Sequence, residues 1–391
     1  MHVRKLGVLI CATTVPSTAR AFMRGQLRYL SDQGWDVRLI SSPGAELDSV
    51  GSEEGVDTLG IQMERELSPV SDFRALFRWF RELRRIRPDV VSAGTPKAAL
   101  LAMIASYVLR VPRRVYLVRG LRYEGEHGFR AAILKTVERL TLFLATDIIV
   151  VSSSVYSTLC RDRIITKPAF LVGDGSSNGV EARVGLDIGA TRQRIRAELG
   201  IEESAFVAGF VGRPSADKGS DTLYSASKLL ADRVPNFKVL VVGSNVPTGS
   251  ALNVGSALLG TGWVNNPRDY MCAMDVLVLP TRREGFPNVV LEASTVGIPS
   301  ITTDATGAID SVIDGVTGFV VPVDDAKLLS DRLHVLASNP GLRASLGESA
   351  RRRAEAKFSP SRIWFGLDAI YRGRSIESTD IRVLGRREDQ R

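Results

Sequence analysis

The sequence predicts an α/β protein with two doubly wound domains that face each other across a cleft. The chain has 391 residues, which suits two or three domains of ordinary size. Short apolar, β-branched runs alternate along it with helical stretches, a pattern typical of parallel sheets. The alternation restarts after a looser segment at 173–189 that is rich in Gly and Ser. Because open α/β sheets bind ligands at the carboxyl ends of their strands, we expect the ligand in the cleft.

Each half of the chain supplies its own series of elements. In the first half, candidate strands lie at 5–12, 36–41, 89–93, 114–118, 147–151 and 169–172, and helices at 19–33, 73–86, 97–109 and 129–144. In the second half, strands lie at 207–212, 238–243, 275–280, 300–303 and 319–322, and helices at 219–233, 289–296, 326–338 and 342–357. We therefore expect two Rossmann-like sheets.

These series predict the domain boundaries. Residues 1–175 form an N-terminal domain, 176–204 a linker and 205–357 a C-terminal domain. A helix at 358–375 is expected to pack back towards the N-terminal domain, and the polar tail 376–391 to fray.

The start of the chain allows two interpretations. Basic residues precede a short apolar core at 6–12, as in a signal peptide. That core contains Gly7 and leads directly into a βα pattern, which favours a buried first strand. The longest apolar run, 98–109, is shorter than the roughly 20 residues of a transmembrane helix, so we expect no integral membrane segment.

The net charge of +8 resides in one half of the chain. Residues 1–200 hold 29 Lys and Arg against 21 Asp and Glu, whereas the remainder is balanced. The N-terminal half is therefore expected to meet a negatively charged partner. Three cysteines do not make a disulfide scaffold. Three scattered histidines (His2, His127 and His334), without a CxxC motif, argue against a zinc site.

Two cations follow the first strand of the second half. Gly212, Arg213 and Lys218 lie in a short loop between the strand at 207–212 and the helix at 219–233. Cations beside a helix N-terminus suit a diphosphate, because the helix dipole and free N–H groups add to their charge. The alternative is a solvated loop with two unrelated cations.

A second constellation follows the strand at 275–280. The segment runs Pro-Thr-Arg-Arg-Glu-Gly-Phe-Pro-Asn-Val-Val-Leu-Glu-Ala from residue 280. Glu284 precedes the helix and Glu292 lies within it, one turn after Asn288. The backbone at the start of this helix suits an anion, while the two carboxylates suit hydroxyl groups. The alternative is an ordinary amphipathic helix with a capping carboxylate.

These segments resemble a known family. GFVGR…DKG, GTGWV, VLPTRREGFPNVVLEASTVGIPSITT and IDGVTGFVVP occur in the order found in the donor half of retaining glycosyltransferases of family 4, which have the glycosyltransferase B fold. TPKAALLA and YLVRGLRYE in the first half resemble the branch that builds capsule, O-antigen and protein-glycan repeat units on polyprenyl diphosphate.

The resemblance implies roles for individual residues. Arg213 and Lys218 match the pair that binds the donor diphosphate, beside Gly212, and Glu284 matches the glutamate on the donor sugar. Glu292 matches the glutamate on the ribose, and Val264 lies where the family's backbone meets the base. The donor-binding backbone corresponds to Gly285, Phe286, Pro287 and Asn288.

The resemblance also implies the reaction and its partners. Such enzymes transfer a sugar with retention of configuration and need no metal or other cofactor. We expect a UDP-sugar, carrying an N-acetylhexosamine or a related sugar, as donor and a polyprenyl-diphosphate-linked saccharide as acceptor, on the inner face of the cytoplasmic membrane. The departing diphosphate is stabilised by the cations and can take the acceptor's proton.

The acceptor residues depart from the family pattern. Arg119 stands where many relatives carry histidine, so the histidine's role does not carry over. Arg119, Arg122 and Glu124 are candidates to face an acceptor phosphate or sugar, or else form a structural ion-pair cluster. Gly25 and Lys97 are the remaining acceptor candidates.

The segment at 73–87 predicts a basic amphipathic helix. Arg74, Arg78, Arg81 and Arg85 form one stripe; Phe73, Leu76, Phe77, Phe80 and Leu83 form the opposite face, with Trp79 at its edge. We expect these arginines and Trp79 to contact an anionic membrane surface. The alternative is a surface helix whose apolar face is simply core. The charge carries no nucleic-acid recognition module, so no nucleic-acid partner is expected.

Two other functions remain open from the residues. A non-hydrolysing UDP-sugar 2-epimerase shares the fold, but its histidine and acidic catalytic pattern is missing. The second is a non-catalytic subunit that binds a nucleotide sugar. Loss of the catalytic site is disfavoured because the family's residues are all present, as Arg213, Lys218, Glu284 and Glu292.

Overall fold

The chain divides into two units. The computed structural model describes residues 6–64, 66, 68–182, 185–244, 258–373 and 380–385. One unit comprises Met1–Asn178 and Pro360–Arg391, and the other comprises Gly179–Ser359. The C-terminal helix therefore belongs to the first unit.

The strands are β1 (Gly7–Ala12), β2 (Trp35–Ser41), β3 (Asp57–Gly60), β4 (Val90–Ala93), β5 (Arg113–Val118), β6 (Asp147–Val150), β7 (Ala169–Val172), β8 (Phe206–Val211), β9 (Phe237–Val242), β10 (Leu258–Gly260), β11 (Val276–Leu279), β12 (Ser300–Thr303), β13 (Gly318–Val321) and β14 (Ile381–Leu384). The helices are α1 (Pro16–Phe22), α2 (Gln26–Asp32), α3 (Ala45–Glu54), α4 (Pro69–Ile86), α5 (Pro96–Val108), α6 (Gly128–Leu144), α7 (Ser153–Arg161), α8 (Ile188–Glu198), α9 (Ser220–Ala231), α10 (Pro267–Met271), α11 (Asn288–Thr295), α12 (Ala326–Ser338), α13 (Pro340–Lys357) and α14 (Pro360–Tyr371).

The first sheet has the order β14-β7-β6-β5-β4-β1-β2-β3. Its strands are parallel except β14, which pairs antiparallel with β7. From β1 the chain winds outwards to β3 and then returns to β4 on the other side of β1, so the winding reverses between β1 and β4. The apolar runs predicted as strands occupy the interior; Leu9 to Ala12 of β1, for example, are fully buried.

The second sheet repeats this topology. Its order is β10-β9-β8-β11-β12-β13, and every pair is parallel. Here the winding reverses between β8 and β11. In open α/β sheets such a reversal leaves a crevice at the carboxyl ends of the strands, where ligands bind. The prediction of two Rossmann-like sheets is confirmed.

Several elements differ from the prediction. The helix expected at 19–33 is two helices, α1 and α2, because Gly25 between them has a φ of 76° that ends one helix and starts another. The stretch 176–204, expected as a linker, contains α8. This helix is anchored in the second unit, where Arg196 Nη2 and Arg192 Nη2 each lie 2.9 Å from the Asp275 carboxylate.

The tail expected to fray contributes a strand. Residues 381–384 form β14, with Ile381 opposite Val172 in β7. Residues 376–379 and 386–391 of that tail, and the basic start of the chain with Lys5 and His2, lie outside the described residues. No helix in the described part of the chain has the length and apolarity to cross a membrane.

Candidate functional site

The loop after β8 lies against the end of β11. Gly212 has a φ of 127°, Arg213 beyond it is exposed, and a single 3-10 turn spans Ala216–Lys218. Gly219 then adopts a left-handed conformation with φ 65°, and a Cβ there would overlap the carbonyl oxygen of Pro280. A glycine is required because the backbone turns and touches the neighbouring strand end at one residue.

Hydrogen bonds join the two predicted constellations. Thr281 Oγ1 and the backbone N–H of Arg282 both donate to the carbonyl oxygen of Asp217, each at 2.9 Å. Lys218 Nζ forms an ion pair with Glu284 Oε1. The sequence places these two residues 66 positions apart. The pairing of β8 with β11 is what brings them to one edge of the sheet.

The segment at residues 306 and 307 supports the backbone of Glu284 and Gly285. The backbone N–H of Glu284 donates to the carbonyl of Thr306 at 2.9 Å. Gly307, with φ 78°, lies directly beneath, since a Cβ there would overlap the carbonyl oxygens of Glu284 and Gly285. The side chain of Glu284 is 13% exposed, so its carboxylate is mostly enclosed at the crevice.

The start of α11 offers an anion its free backbone donors. Pro287 is the N-cap residue and no side chain caps the helix. Phe286 anchors the turn, because its ring lies 5.4 Å from that of Phe358, centroid to centroid. Asn288 Oδ1 is buried and has no hydrogen-bond partner among the described residues. Backbone N–H groups without a cap, and an amide oxygen without a hydrogen-bond partner among the described residues, are features of a site that is completed by a ligand.

The remaining donor candidates line the same edge. Glu292 Oε1 lies 3.6 Å from Arg268 Nη2 in α10. Gly262 follows β10, and its carbonyl accepts from Gly243 N–H at 3.0 Å at the end of β9. Val264, two residues later, is partly buried against the core. Each residue assigned to the donor thus follows a strand of the second sheet or lies in a helix next to that edge.

Other charged residues near this edge were not anticipated. Arg283 pairs with Asp217 at 2.6 Å, and Arg282 pairs with Asp221 and Asp324 at 2.6 and 2.7 Å. The hydrogen bond that Arg282 donates to Asp221 is the main cause that raises the pKa of Arg282 above its usual value. Two adjacent arginines in a loop were the only sequence signal for these pairs, and spacing does not show which acids lie opposite. Across the described residues, no group of three or more His, Cys, Asp or Glu side chains is arranged to hold a metal ion.

The acceptor candidates occupy different environments in the first unit. Lys97 Nζ bonds Asp72 Oδ1 at 2.5 Å and is 5% exposed, so it ties α5 to α4. Arg122 lies 3.1 Å from Glu66, and Glu124 sits with it in a 3-10 turn, Arg122–Gly125. Gly25 donates its N–H to Glu54 at 2.7 Å, and a Cβ there would press on the Trp364 ring.

Arg119 differs from these four residues. It follows β5 directly, and its three guanidinium nitrogens are buried without a hydrogen-bond partner among the described residues. The Phe22 ring centroid lies 5.8 Å from Cζ. Desolvation lowers the pKa of Arg119 to about 10, so the group remains charged at neutral pH.

Helix α4 is oriented differently from the prediction. Trp79 was expected at a membrane surface, but it is fully buried with Ala75 and Leu83 and packs against the core. That assignment is wrong, because a side chain enclosed by the protein does not reach a bilayer. Phe73 and Phe77, expected on the same apolar face as Leu83, are instead 72% and 67% exposed.

The exposed side of α4 is both apolar and basic. Val70, Phe73, Arg74, Phe77, Arg78 and Arg81 are all exposed and follow helical spacing, so they share one face. Some of them line a shallow pocket of about 830 Å³ beside the helix. Arg81 and Arg85 both pair with the buried Glu82, at 3.0 and 2.8 Å. Arg74 and Arg78 have no ion-pair partner among the described residues.

Comparisons with known proteins agree with this architecture. Residues 191–353 match the family model "Glycosyl transferases group 1", and residues 17–165 match "Glycosyl transferase 4-like domain". The chain is 36% identical over 363 residues to the capsular polysaccharide biosynthesis glycosyltransferase CapM of Staphylococcus aureus, covering 89% of this chain and 93% of that protein. It is 24% identical to an Escherichia coli UDP-Gal:alpha-D-GlcNAc-diphosphoundecaprenol alpha-1,3-galactosyltransferase, covering 77% and 79% of the two chains.

Solved structures share the fold at lower identity. Anabaena Alr3699/HepE in complex with UDP superposes with a TM-score of 0.73 at 17% identity, covering 94% of this chain and 99% of that one. The lipopolysaccharide glycosyltransferase WaaG gives a TM-score of 0.70 at 19% identity, covering 93% and 99%. The two structural similarities show the fold, and the similarity to the capsular relative shows the family. On that evidence the chain belongs to the group 1 glycosyltransferases and has the glycosyltransferase B fold.

Proposed function

We propose that this glycosyltransferase moves an N-acetylhexosamine or a related sugar from a UDP-sugar to a polyprenyl-diphosphate-linked saccharide, with retention of configuration. The observation that carries the proposal is the Lys218–Glu284 ion pair at the crevice of the second sheet. Lys218 would bind the diphosphate and Glu284 the sugar. Their contact therefore matches the junction of a nucleotide sugar, where the diphosphate is bonded to the sugar. The names of the capsular and the diphosphoundecaprenol relatives support the class of acceptor and a role in surface polysaccharide assembly.

The geometry suggests how the donor is held. The diphosphate accepts hydrogen bonds from Lys218, Arg213 and the uncapped start of α11. Glu292 accepts from the ribose hydroxyls, and the backbone near Val264 meets the base. Once the diphosphate takes Lys218, the Glu284 carboxylate is free to accept hydrogen bonds from the sugar hydroxyls. Donor binding thereby replaces the Lys218–Glu284 ion pair with an ion pair between Lys218 and the diphosphate.

The same groups assist the reaction. Breaking the sugar–phosphate bond develops positive charge on the sugar and negative charge on the departing diphosphate. Lys218, Arg213 and the α11 dipole stabilise that negative charge, which is preorganised electrostatic help. The diphosphate oxygen takes the acceptor's proton, so the two glutamates act in positioning rather than as a hydrolase acid and nucleophile. We propose that no metal or other cofactor takes part.

A donor and acceptor screen tests the reaction. The protein is incubated with UDP-GlcNAc, UDP-GalNAc, UDP-glucose, UDP-galactose and GDP-mannose, with and without a short polyprenyl-diphosphate-linked saccharide. We expect UDP release only with acceptor, a product with the donor's anomeric configuration by NMR, and no loss on adding EDTA. Slow UDP release with sugar epimerisation would favour the 2-epimerase, and binding without release would favour a non-catalytic subunit.

We propose further that the enzyme works as a peripheral protein on the cytoplasmic face of the membrane. The support is the exposed face of α4, where Phe73 and Phe77 alternate with Arg74 and Arg78. Exposed aromatic side chains insert at a bilayer interface, and each arginine near an anionic surface contributes about 1 kcal/mol. Large exposed apolar side chains beside unpaired cations are otherwise unfavourable on a soluble surface.

Vesicle binding tests the membrane proposal. Phe73→Ser with Phe77→Ser, and Arg74→Glu with Arg78→Glu, should each reduce sedimentation with phosphatidylglycerol vesicles. The exposed pair Leu229 and Leu342 of the second unit, changed to Ser, is the matched control and should bind normally. Binding should weaken with salt, because screening reduces charge interactions beyond about 8 Å at physiological ionic strength. Wild-type protein that ignores anionic vesicles at low salt would contradict the proposal.

A further inference from the structure

The first sheet has a buried cation for which the described residues provide no anion. The Nε, Nη1 and Nη2 atoms of Arg119 are all inaccessible to solvent and unbonded among the described residues. A buried charge is ordinarily retained only when it is paired or coordinated, since removing it from water is costly. Arg119 is therefore a group whose partner is to be sought outside the described protein.

Among the described residues, the ionisable groups that interact with Arg119 are neutral at pH 7. The thiol of Cys11 is near, and burial raises its pKa to about 12. The Tyr371 hydroxyl lies 3.0 Å from Ser92 Oγ, and burial raises the pKa of this phenol too. Phe22 offers only its ring. None of these groups is ionised at neutral pH, so none balances the guanidinium.

The position of Arg119 is that of a ligand site. The winding of the first sheet reverses between β1 and β4, and the N–H of Gly94, just after β4, donates to Ala12 at the end of β1 at 3.1 Å. The Arg119 guanidinium lies over Gly94, since a Cβ there would overlap Nη1. The side chain thus reaches from β5 across the end of β4 to the place where doubly wound sheets bind ligands.

A helix start adds donors at the same place. Helix α5 begins at Pro96, two residues after Gly94, and its N-cap Thr95 makes no capping bond. Thr95 Oγ1 instead accepts from the N–H of Thr14 at 2.8 Å. The first turn of α5 therefore has no side-chain cap, and the positive end of its dipole faces the same edge as Arg119.

We propose that Arg119 and the first turn of α5 form a phosphate subsite in the first unit, which takes the diphosphate of the lipid-linked acceptor. This inference rests on the proposed function for the identity of the acceptor. A guanidinium presents a planar pair of donors that matches a phosphate, and a helix N-terminus favours the same group. The half-buried Phe22 ring lies beside the guanidinium, and we expect this ring to move when the ligand binds.

Acceptor kinetics with and without the diphosphate test the assignment. Arg119→Met should raise the KM for a diphosphate-linked acceptor at least tenfold and leave the KM for the matching alkyl glycoside within twofold. Arg119→Lys should be intermediate, because it retains the charge without the paired donors. The control is Arg113→Met, which breaks a 2.8 Å pair with Asp147 at the opposite end of β5 and should not distinguish the two acceptors. Equal KM changes for both acceptors, or none, would overturn the proposal.

Two further measurements do not depend on turnover. Inorganic pyrophosphate, titrated with UDP saturating the donor site, should bind the wild type and lose at least tenfold in affinity in Arg119→Met. Pyrophosphate binding that Arg119→Met leaves unchanged would refute the subsite even if the chain transferred no sugar. The Tm of Arg119→Met should rise, because the variant removes a buried unpaired charge. A lower Tm would indicate a structural role and would also contradict the proposal.

Discussion

The two sheets treat charge differently at their carboxyl edges. At the second sheet three cations are paired, Lys218 with Glu284, Arg283 with Asp217 and Arg268 with Glu292, whereas Arg213 is exposed. At the first sheet Arg119 is buried without a partner among the described residues. A ligand that binds Lys218 must therefore displace a carboxylate, whereas the phosphate proposed at Arg119 would supply an anion that the described residues do not. The edge of the second sheet, with its paired charges, suits a ligand that carries both an anion and hydroxyl groups. The edge of the first sheet, where no described residue pairs with Arg119, suits a phosphate.

Removing the cation of the second edge should have the largest effect. Lys218→Ala should lower turnover at least tenfold, and Arg213→Ala similarly, since a hydrogen bond to a charged group contributes about 1.5–3 kcal/mol. The exposed Lys228 of α9, changed to Ala, is the matched control and should keep full turnover. Initial rates with saturating acceptor measure the effect. Unchanged rates in a folded Arg213→Ala, Lys218→Ala double variant would remove both residues from the site.

The two glutamates of the second edge should separate by ligand. Glu292→Gln should weaken UDP and the UDP-sugar alike, by several-fold, because its proposed partner is the ribose that both ligands carry. Glu284→Gln should lower the affinity for the UDP-sugar several-fold relative to the affinity for UDP, because the proposed partner of Glu284 is the sugar, which UDP lacks. Calorimetry with both ligands checks this division. A uniform loss for both ligands in both variants would contradict it.

A second buried ionisable group in the first unit sharpens the comparison. Glu138 accepts from Tyr116 Oη at 2.9 Å, and desolvation raises its pKa to about 7. The folded state therefore retains a proton that the unfolded chain releases near the ordinary glutamate pKa of 4.5. The stabilisation is complete below that pH, declines as pH rises and is lost above about 7.

Glu138→Gln mimics the protonated form and should not show this decline. The variant should match the wild type near pH 4.5 and exceed it at pH 8 by up to about 3 kcal/mol in the free energy of unfolding. Urea unfolding at both pH values measures the difference. An advantage of equal size at both pH values would mean that the Glu138 proton does not contribute.

The sequence predicts the interior of each sheet better than its edges. Long β-branched runs such as β8 and β9 are recognisable because both faces are buried. The short edge strands β3, β10 and β14 were missed, since three or four residues with a partly exposed face give little signal. The split between α1 and α2 depends on one glycine, Gly25, whose φ no propensity fixes.

The sites show the same limit. The candidate donor residues rest on the family resemblance, and the Lys218–Glu284 contact arises only from the pairing of β8 with β11. Trp79 was misplaced because α4 carries apolar residues on two sides, and only packing decides which side faces the sheet. That Arg119 has no hydrogen-bond partner among the described residues is also invisible in the sequence, because its neighbours come from β1, α1 and α14.

The UDP affinity of Glu284→Gln tests the central claim most directly. If Glu284 occupies Lys218 until the diphosphate replaces it, removing the carboxylate charge frees Lys218 in advance. Calorimetric titration should then show UDP binding about twofold to fivefold more tightly to Glu284→Gln than to the wild type, as expected for losing one partly exposed ion pair. Lys218→Ala, titrated alongside, should bind UDP at least tenfold more weakly. UDP binding that Glu284→Gln weakens as much as Lys218→Ala would contradict the exchange of Glu284 for the diphosphate.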